Sequence, residues 1–399
     1  MQMPAALSHA PFRAYLAGNF CGLMGMWVLR VAAGWLAWDL TGSAASTGFV
    51  AFLIFAPTLI SGPFFGVAAD RSDPRLGMVA TQGAQGVCAA VLAGLALADA
   101  LGFAALAGIA LASGVAASAY HPMRMSLAPR LVPKADLPQA VAMTALNFNA
   151  TRMIGPAAGG ALIAAQGAGP AVAAAALCFA PQIAALLTIP PQPPDPAGRA
   201  EAGGLEGFAE ELRGGARFVL SRGLLREAFA VSFLFSFAGR GVLELLPAAA
   251  DGLYGRGAAG FGLLTAAAGG GAVLASLWLA RGARDAAQMR ARTLAAAFAG
   301  QALVLLLAGV ESWPVALVAV AGLGAAGTIV GVSSQSLTQT EAPDGARGRV
   351  MSLWILMGIG GAALGALGLG ALADVVGLRA ALAGGAAAAL ALLLLRPRP

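Results

Sequence analysis

Three charged residues stand inside long apolar runs, where an unpartnered charge is costly. Arg30 lies about eighteen residues into the first such run of the chain. Arg240 and Glu244 lie in a later one, four residues apart and therefore on one face of a helix. A guanidinium at the centre of a membrane helix costs ~2.5–3.5 kcal/mol on insertion scales, so such groups turn inward and pair. The chemistry open to these three is narrow. They form a fixed ion pair, or Glu244 accepts a proton, or Glu244 competes with an anion for the arginines. Asn19, Gln85, Asn147 and Arg152 are further polar residues in apolar runs. Each reads either as the lining of a cavity or as an interhelical hydrogen bond worth ~0.6 kcal/mol.

The setting of these residues is apolar. Of 399 residues, 59% are hydrophobic and only 11% charged, and the mean hydropathy is +0.80. Soluble domains carry roughly 25% charged residues. A soluble enzyme, a disordered chain and a nucleic-acid binder are excluded, despite a net charge of +6. No metal or other cofactor is expected. Cys21, Cys88 and Cys178 sit in separate runs without C-x-x-C spacing, and His9 and His121 are far apart. The sole lysine, Lys134, belongs to no Walker-type loop, and H-E-x-x-H and G-x-S-x-G are absent. The first apolar run is too long for a cleaved leader and is expected to stay as an anchor.

A bilayer core ~30 Å thick takes about 20 apolar residues as helix. Twelve runs meet that length: Phe12–Trp38, Ala44–Ala69, Gly77–Ala98, Leu101–Tyr120, Gln139–Ala165, Pro170–Ile189, Glu227–Ala250, Ala258–Ala280, Ala291–Gly309, Trp313–Ser336, Val350–Ala373 and Leu378–Leu395. The predicted fold class is an all-α multi-pass membrane protein, because the ~10-residue alternation of a membrane barrel is missing. Glycines such as those of Gly18-x-x-x-Gly22 permit close helix approach. With the N-terminus inside, 19 of the 24 basic residues fall in inner segments, and only Arg256 and Arg379 in outer ones. Both termini are thus expected in the cytoplasm and the spans in the inner membrane.

The longest inner segment separates two halves, residues 1–189 and 227–399. Within it, 190–226, a proline-rich start gives way to Leu205, Phe208, Leu212, Ala216 and Val219 at helical spacing, with charges between. That pattern predicts an amphipathic helix on the membrane surface. The halves repeat at about 210 residues. Asp39 matches Asp251, Gly48-Phe49 matches Gly260-Phe261, and Gly160-Ala161-Leu162 matches Gly370-Ala371-Leu372. Two parallel six-helix repeats are a transporter architecture.

These features together resemble the major facilitator superfamily. The sharpest match is Gly66-Val-Ala-Ala-Asp70-Arg71-Ser-Asp73-Pro74-Arg75, which resembles that superfamily's G-x-L-a-D-R-x-G-R-R/K signature. Gly66, Asp70, Arg71 and Arg75 match; Ala68, Asp73 and Pro74 depart from it. Asp at the eighth position is similar to the subgroup of enterobactin exporters and transmembrane secretion effectors. Trp35-Leu-Ala-Trp-Asp-Leu-Thr-Gly-Ser43 and Arg347-Gly-Arg-Val-Met-Ser352 resemble it too. The resemblance implies an inner gate, with Asp70 bridging to the start of the eleventh span at Arg347 and Arg349. Gly155-Pro156-Ala-Ala-Gly159-Gly160 resembles the end of a motif associated with antiporters, although Ala142 and Thr151 replace its upstream glycines.

The expectation is a secondary transporter that exports a drug-like amphiphile or siderophore-like metabolite by alternating access, coupled to protons. Its partners are the small-molecule substrate, protons and the lipid bilayer, and it is expected to be a monomer. An importer and a non-transporting membrane scaffold or receptor are the alternatives.

Overall fold

The computed structural model describes residues 5–193, 204–280, 282 and 285–396. Side chains are described throughout these except at 60–63, 66–71, 204–209, 211 and 344–345. Among the described residues every regular element is helical. Six long helices come first: α1 (Ala10–Thr41), α2 (Ala44–Arg71), α3 (Pro74–Leu97), α4 (Phe103–Leu127), α5 (Leu137–Gln166) and α6 (Ala168–Thr188). A linker helix, α7 (Gly204–Ser221), follows. The remaining chain forms α8 (Gly223–Phe235), α9 (Gly241–Glu244), α10 (Leu246–Ala248), α11 (Gly257–Leu279), α12 (Ala286–Gly309), α13 (Trp313–Glu341), α14 (Asp344–Val376) and α15 (Leu378–Leu394).

Eight of these helices are long and apolar enough to cross a bilayer. The bent segment from Gly223 to Leu253 makes a ninth when its two parts are taken as one span, and α2 and α15 carry shorter apolar stretches. With α5, whose apolar run is diluted by Asn147, Asn149 and Arg152, these account for the twelve expected spans.

The helices group into two compact units. The first contains Met1–Ala33 and Ala56–Gly207. The second contains Gly34–Phe55 and Phe208–Pro399, so the hairpin between α1 and α2 belongs with the later helices. Glycine does the close packing in both. In the first, a Cβ on Gly18 would meet that of Ala185 at 2.8 Å, and one on Gly25 the carbonyl of Ala175 at 2.8 Å, so α1 rides directly on α6. In the second, Gly271 and Gly324 let α11 and α13 touch backbone to backbone at Ala321 and Ala268. Such contact replaces the hydrophobic drive that lipid cannot supply.

The seventh span departs from the continuous run expected of it. It makes a π-helical turn at Ser236–Arg240 and breaks at Leu245, where the two parts are bent by 53°. Pro247 has no N–H to return to the preceding turn, which opens the helix there. A second π-turn, Ala249–Leu253, follows.

The linker helix docks on protein as well as bearing an amphipathic pattern. Val219 is buried with Leu225, Phe229, Ala342, Ala346 and Val350, and Phe218 packs against the same cluster. Leu205 and Phe208 of the expected stripe lie outside the described side chains.

Candidate functional site

In the first unit Arg30 and Gly155 both lie against Trp27. The guanidinium of Arg30 lies 5.3 Å from the Trp27 ring centre, a cation–π distance. Arg152 lies on α5, one turn before Pro156. What brings α5 so close is the Gly-Pro segment. A Cβ on Gly155 would stand 2.5 Å from Cβ of Trp27, and one on Gly159 3.2 Å from Cα of Val28. Gly160 is buried beside them. Pro156 leaves the carbonyl of Arg152 without its usual helical donor, yet α5 runs on to Gln166.

The uncharged polar residues make interhelical hydrogen bonds. Asn19 is fully buried and its Oδ1 accepts from the hydroxyl of Tyr120 on α4. Gln182 Nε2 donates to that same hydroxyl at 3.2 Å. Gln85 accepts from Ser113 Oγ at 2.7 Å and donates to its carbonyl at 3.2 Å. Asn147 Nδ2 donates to the carbonyl of Leu16 at 2.9 Å. These bonds tie α1, α3, α4, α5 and α6 together. Arg124, placed by the sequence only in an inner segment, is a buried cation of α4. It stacks on Phe148 at 4.9 Å.

In the second unit Arg240 closes the π-turn of the seventh span, and Glu244 is the last residue before the break at Leu245. π-turns and broken membrane helices recur at functional sites because they free backbone groups and re-aim side chains.

At the gate loop, the surroundings of Gly66 and the side chains of Asp70 and Arg71 lie outside what is described. Asp73 and Arg75 are well defined. Asp73 caps α3, accepting the N–H of Arg75 at 2.8 Å, with Pro74 in the first turn. Its other oxygen accepts the N–H of Gln192 at 3.1 Å, and Arg75 donates to the carbonyl of Ile189 at 2.7 Å. The departures Asp73 and Pro74 thus form a helix start that also fastens the end of α6. An Asp-Pro pair before an apolar run is the sequence signal for it. Arg347 and Arg349 open α14, and Arg349 lies against Gly214 and Gly215 of α7.

Three ties in the second unit went unforeseen. At the hairpin, Asp374 accepts Ser43 Oγ at 2.5 Å and the N–H groups of Ala44 and Ala45 at 3.0 and 3.3 Å. Glu227, with a side chain only 2% exposed, takes a two-pronged bond from Arg290 and a third from Arg396 at 2.8 Å. Arg379 donates to the carbonyls of Ala308 and Val310, both at 3.1 Å, closing the C-terminus of α12.

Comparison with known proteins agrees with this architecture. The chain is 28% identical over 373 residues to the enterobactin exporter EntS of Shigella boydii serotype 18, covering 92% of this chain and 86% of that protein. The Escherichia coli O139:H28 protein of the same name matches equally. Among solved structures, the nucleoside transporter NupG superposes with a TM-score of 0.70 at 14% identity, covering 98% of both chains. The human organic anion transporter MFSD10 gives 0.66 at 18%, covering 97% of this chain and all of that one. Residues 2–398 match the model of the transmembrane secretion effector family, and the chain belongs to that family of major facilitator-type membrane transporters.

Proposed function

We propose that this protein exports a small molecule across the inner membrane by alternating access, in exchange for protons. The observation that carries the reading is the broken seventh span, which sets Arg240 on a π-turn and Glu244 four residues on, at the break. A carboxylate on a deformable helix can take up a proton when a change of helix shape carries it away from cationic groups, which favour its charged form. An anionic cargo is the class that we assign to Arg30 and Arg152, two cations set in the apolar helices of the first unit. The direction rests on the relatives named as enterobactin exporters and on the Gly155-Pro156 motif. A siderophore-like metabolite is the cargo class we assign. We assign both termini to the cytoplasm and to Asp70 the inner-gate role that the family resemblance implies.

The test is uptake of candidate siderophores into inverted membrane vesicles carrying a proton gradient. Wild type is expected to accumulate cargo with a rate that varies with pH. Glu244→Gln is expected to abolish that pH dependence. Unchanged, pH-dependent transport in the variant removes Glu244 as the proton carrier, and movement of cargo only out of inverted vesicles reverses the direction.

A further inference from the structure

We infer that the first unit holds a bound-water site in a polar layer shared by α1, α3, α4 and α6. Asn19 is the tenth residue of α1 and Gln82 the ninth of α3. Tyr120 and Gln182 are the eighth and seventh residues from the ends of α4 and α6. At ~1.5 Å per residue all four lie about 10–15 Å from the same end of the helices. The residues one turn away fix the level. Tyr15, Met78 and Leu186, each four residues from Asn19, Gln82 and Gln182, belong to one buried cluster with Tyr120. Asn19, Gln182, Gln82 and Tyr120 are themselves buried.

Their bonds to one another leave groups over. Tyr120 donates to Asn19 Oδ1 and accepts from Gln182 Nε2 at 3.2 Å. Asn19 Nδ2, Gln182 Oε1, Gln82 Oε1 and the Tyr15 hydroxyl are buried and find no hydrogen-bond partner among the described residues. Nor does Nε of Arg124, one turn from Tyr120 on α4. Gln182 Oε1 rests in the notch at Gly22, three residues beyond Asn19, so an unmet acceptor and an unmet donor share one face of α1. A buried polar group left unmet is costly, and native folds rarely hold several at one level. The open set is mixed. Amide oxygens repel an anion, and amide N–H groups with a guanidinium repel a metal cation. Water both donates and accepts, and buried waters bridge such groups with about three bonds each.

The second half fills the corresponding level differently. Tyr15 and Met78 each stand 212 residues before Glu227 and Arg290, which pair directly. One repeat closes this level with an ion pair and the other with water, independently of what the transporter carries.

The experiment is millisecond radiolytic hydroxyl labelling of the purified full-length protein in detergent, read residue by residue by mass spectrometry. Radicals formed from a bound water modify the side chains that touch it, however deeply buried. Met78 and Tyr15, 0% and 1% exposed, are expected to label as fast as surface residues after correction for intrinsic reactivity. Phe235, equally buried in the second unit, is expected to stay unlabelled. Gln82→Leu removes an open acceptor and is expected to slow labelling of Met78 about fivefold. Gln85→Leu, at an amide already bonded to Ser113, is expected to leave it unchanged. If Gln82→Leu fails to fold, Tyr15→Phe gives the same reading through the loss of one hydroxyl. Labelling of Met78 and Tyr15 no faster than that of Phe235 overturns the site. So does equal labelling in wild type and both layer variants, which marks entry of bulk water, or a matching fall in Gln85→Leu, which marks a packing effect.

Discussion

Asp251 accepts the indole N–H of Trp38 at 2.9 Å. Asp251 stands 212 residues after Asp39, the neighbour of Trp38. The repeat that makes the two aspartates counterparts in sequence thus also places one of them against the adjoining residue of the other. Trp35, one turn earlier on α1, stacks on Phe261 of α11 at 5.5 Å.

The hairpin is held by Asp374 more than by Asp251. Three donors converge on its carboxylate, two of them free N–H groups at the start of α2. Bonds to a charged group are each worth ~1.5–3 kcal/mol, and the exposure of this site puts it at the low end. Asp374→Ala is expected to raise the labelling rate of a cysteine placed at Ala45 about tenfold, with Trp38→Phe having a smaller effect. Equal labelling in wild type and Asp374→Ala would show that the carboxylate does not hold the hairpin.

Glu227 is the buried member of its cluster, and both partners are arginines from elsewhere in the fold. Glu227→Gln leaves two guanidiniums without a counter-charge. A loss of ~2–3 kcal/mol is expected, below that for fully buried pairs because water reaches the arginines. Thermal unfolding in detergent measures it. Arg396→Gln should cost less, since Arg290 still neutralises the carboxylate, and an order reversed from this would assign the main role to the C-terminal contact.

The Gly155 contact makes a prediction of a different kind. Gly155→Ala drives a methyl group into Trp27, and overpacking costs ~1–3 kcal/mol. Trp27→Ala in the same chain should restore the yield of folded protein. It should not restore transport if Arg30 needs the Trp27 ring. A Gly155→Ala protein as stable as wild type would contradict the packing described for α1 and α5.

Asp73→Ala removes the cap of α3 and is expected to cost ~1 kcal/mol. Asp73→Asn keeps the acceptor and should recover most of it. If Asp73→Asn falls as far as Asp73→Ala, the negative charge rather than the cap matters, and the gate loop then needs an anion at this position.

The architecture was legible because its signals are long. Twelve apolar runs survive errors of several residues, and Gly18 and Gly155 mark close approach by themselves. The bend of the seventh span was not legible, although Pro247 is its signal, since proline inside membrane helices is often absorbed by neighbours. Asp374 and Glu227 each sit near the end of a run, where a carboxylate reads as solvated. Their partners lie 331 and 63 residues away, at Ser43 and Arg290, separations with no periodic trace. Asn19, Gln85 and Asn147 were visible as polar residues in apolar surroundings. Only three-dimensional neighbours distinguish hydrogen bonding from cavity lining.

Gly48, Gly241, Gly365 and Gly370 meet backbone directly, at Ala366, Gly365, Phe237 and Ala44 respectively. Surfaces of this kind have no rotamers to search. When they part, no side chain gains freedom, and when they close, none loses it, a saving of up to ~1.5–2 kcal/mol for every long side chain that is not there. The seam between the hairpin and α14 is therefore cheap in side-chain entropy to form. It is also intolerant, because any residue larger than glycine at Gly48 or Gly370 would wedge it apart.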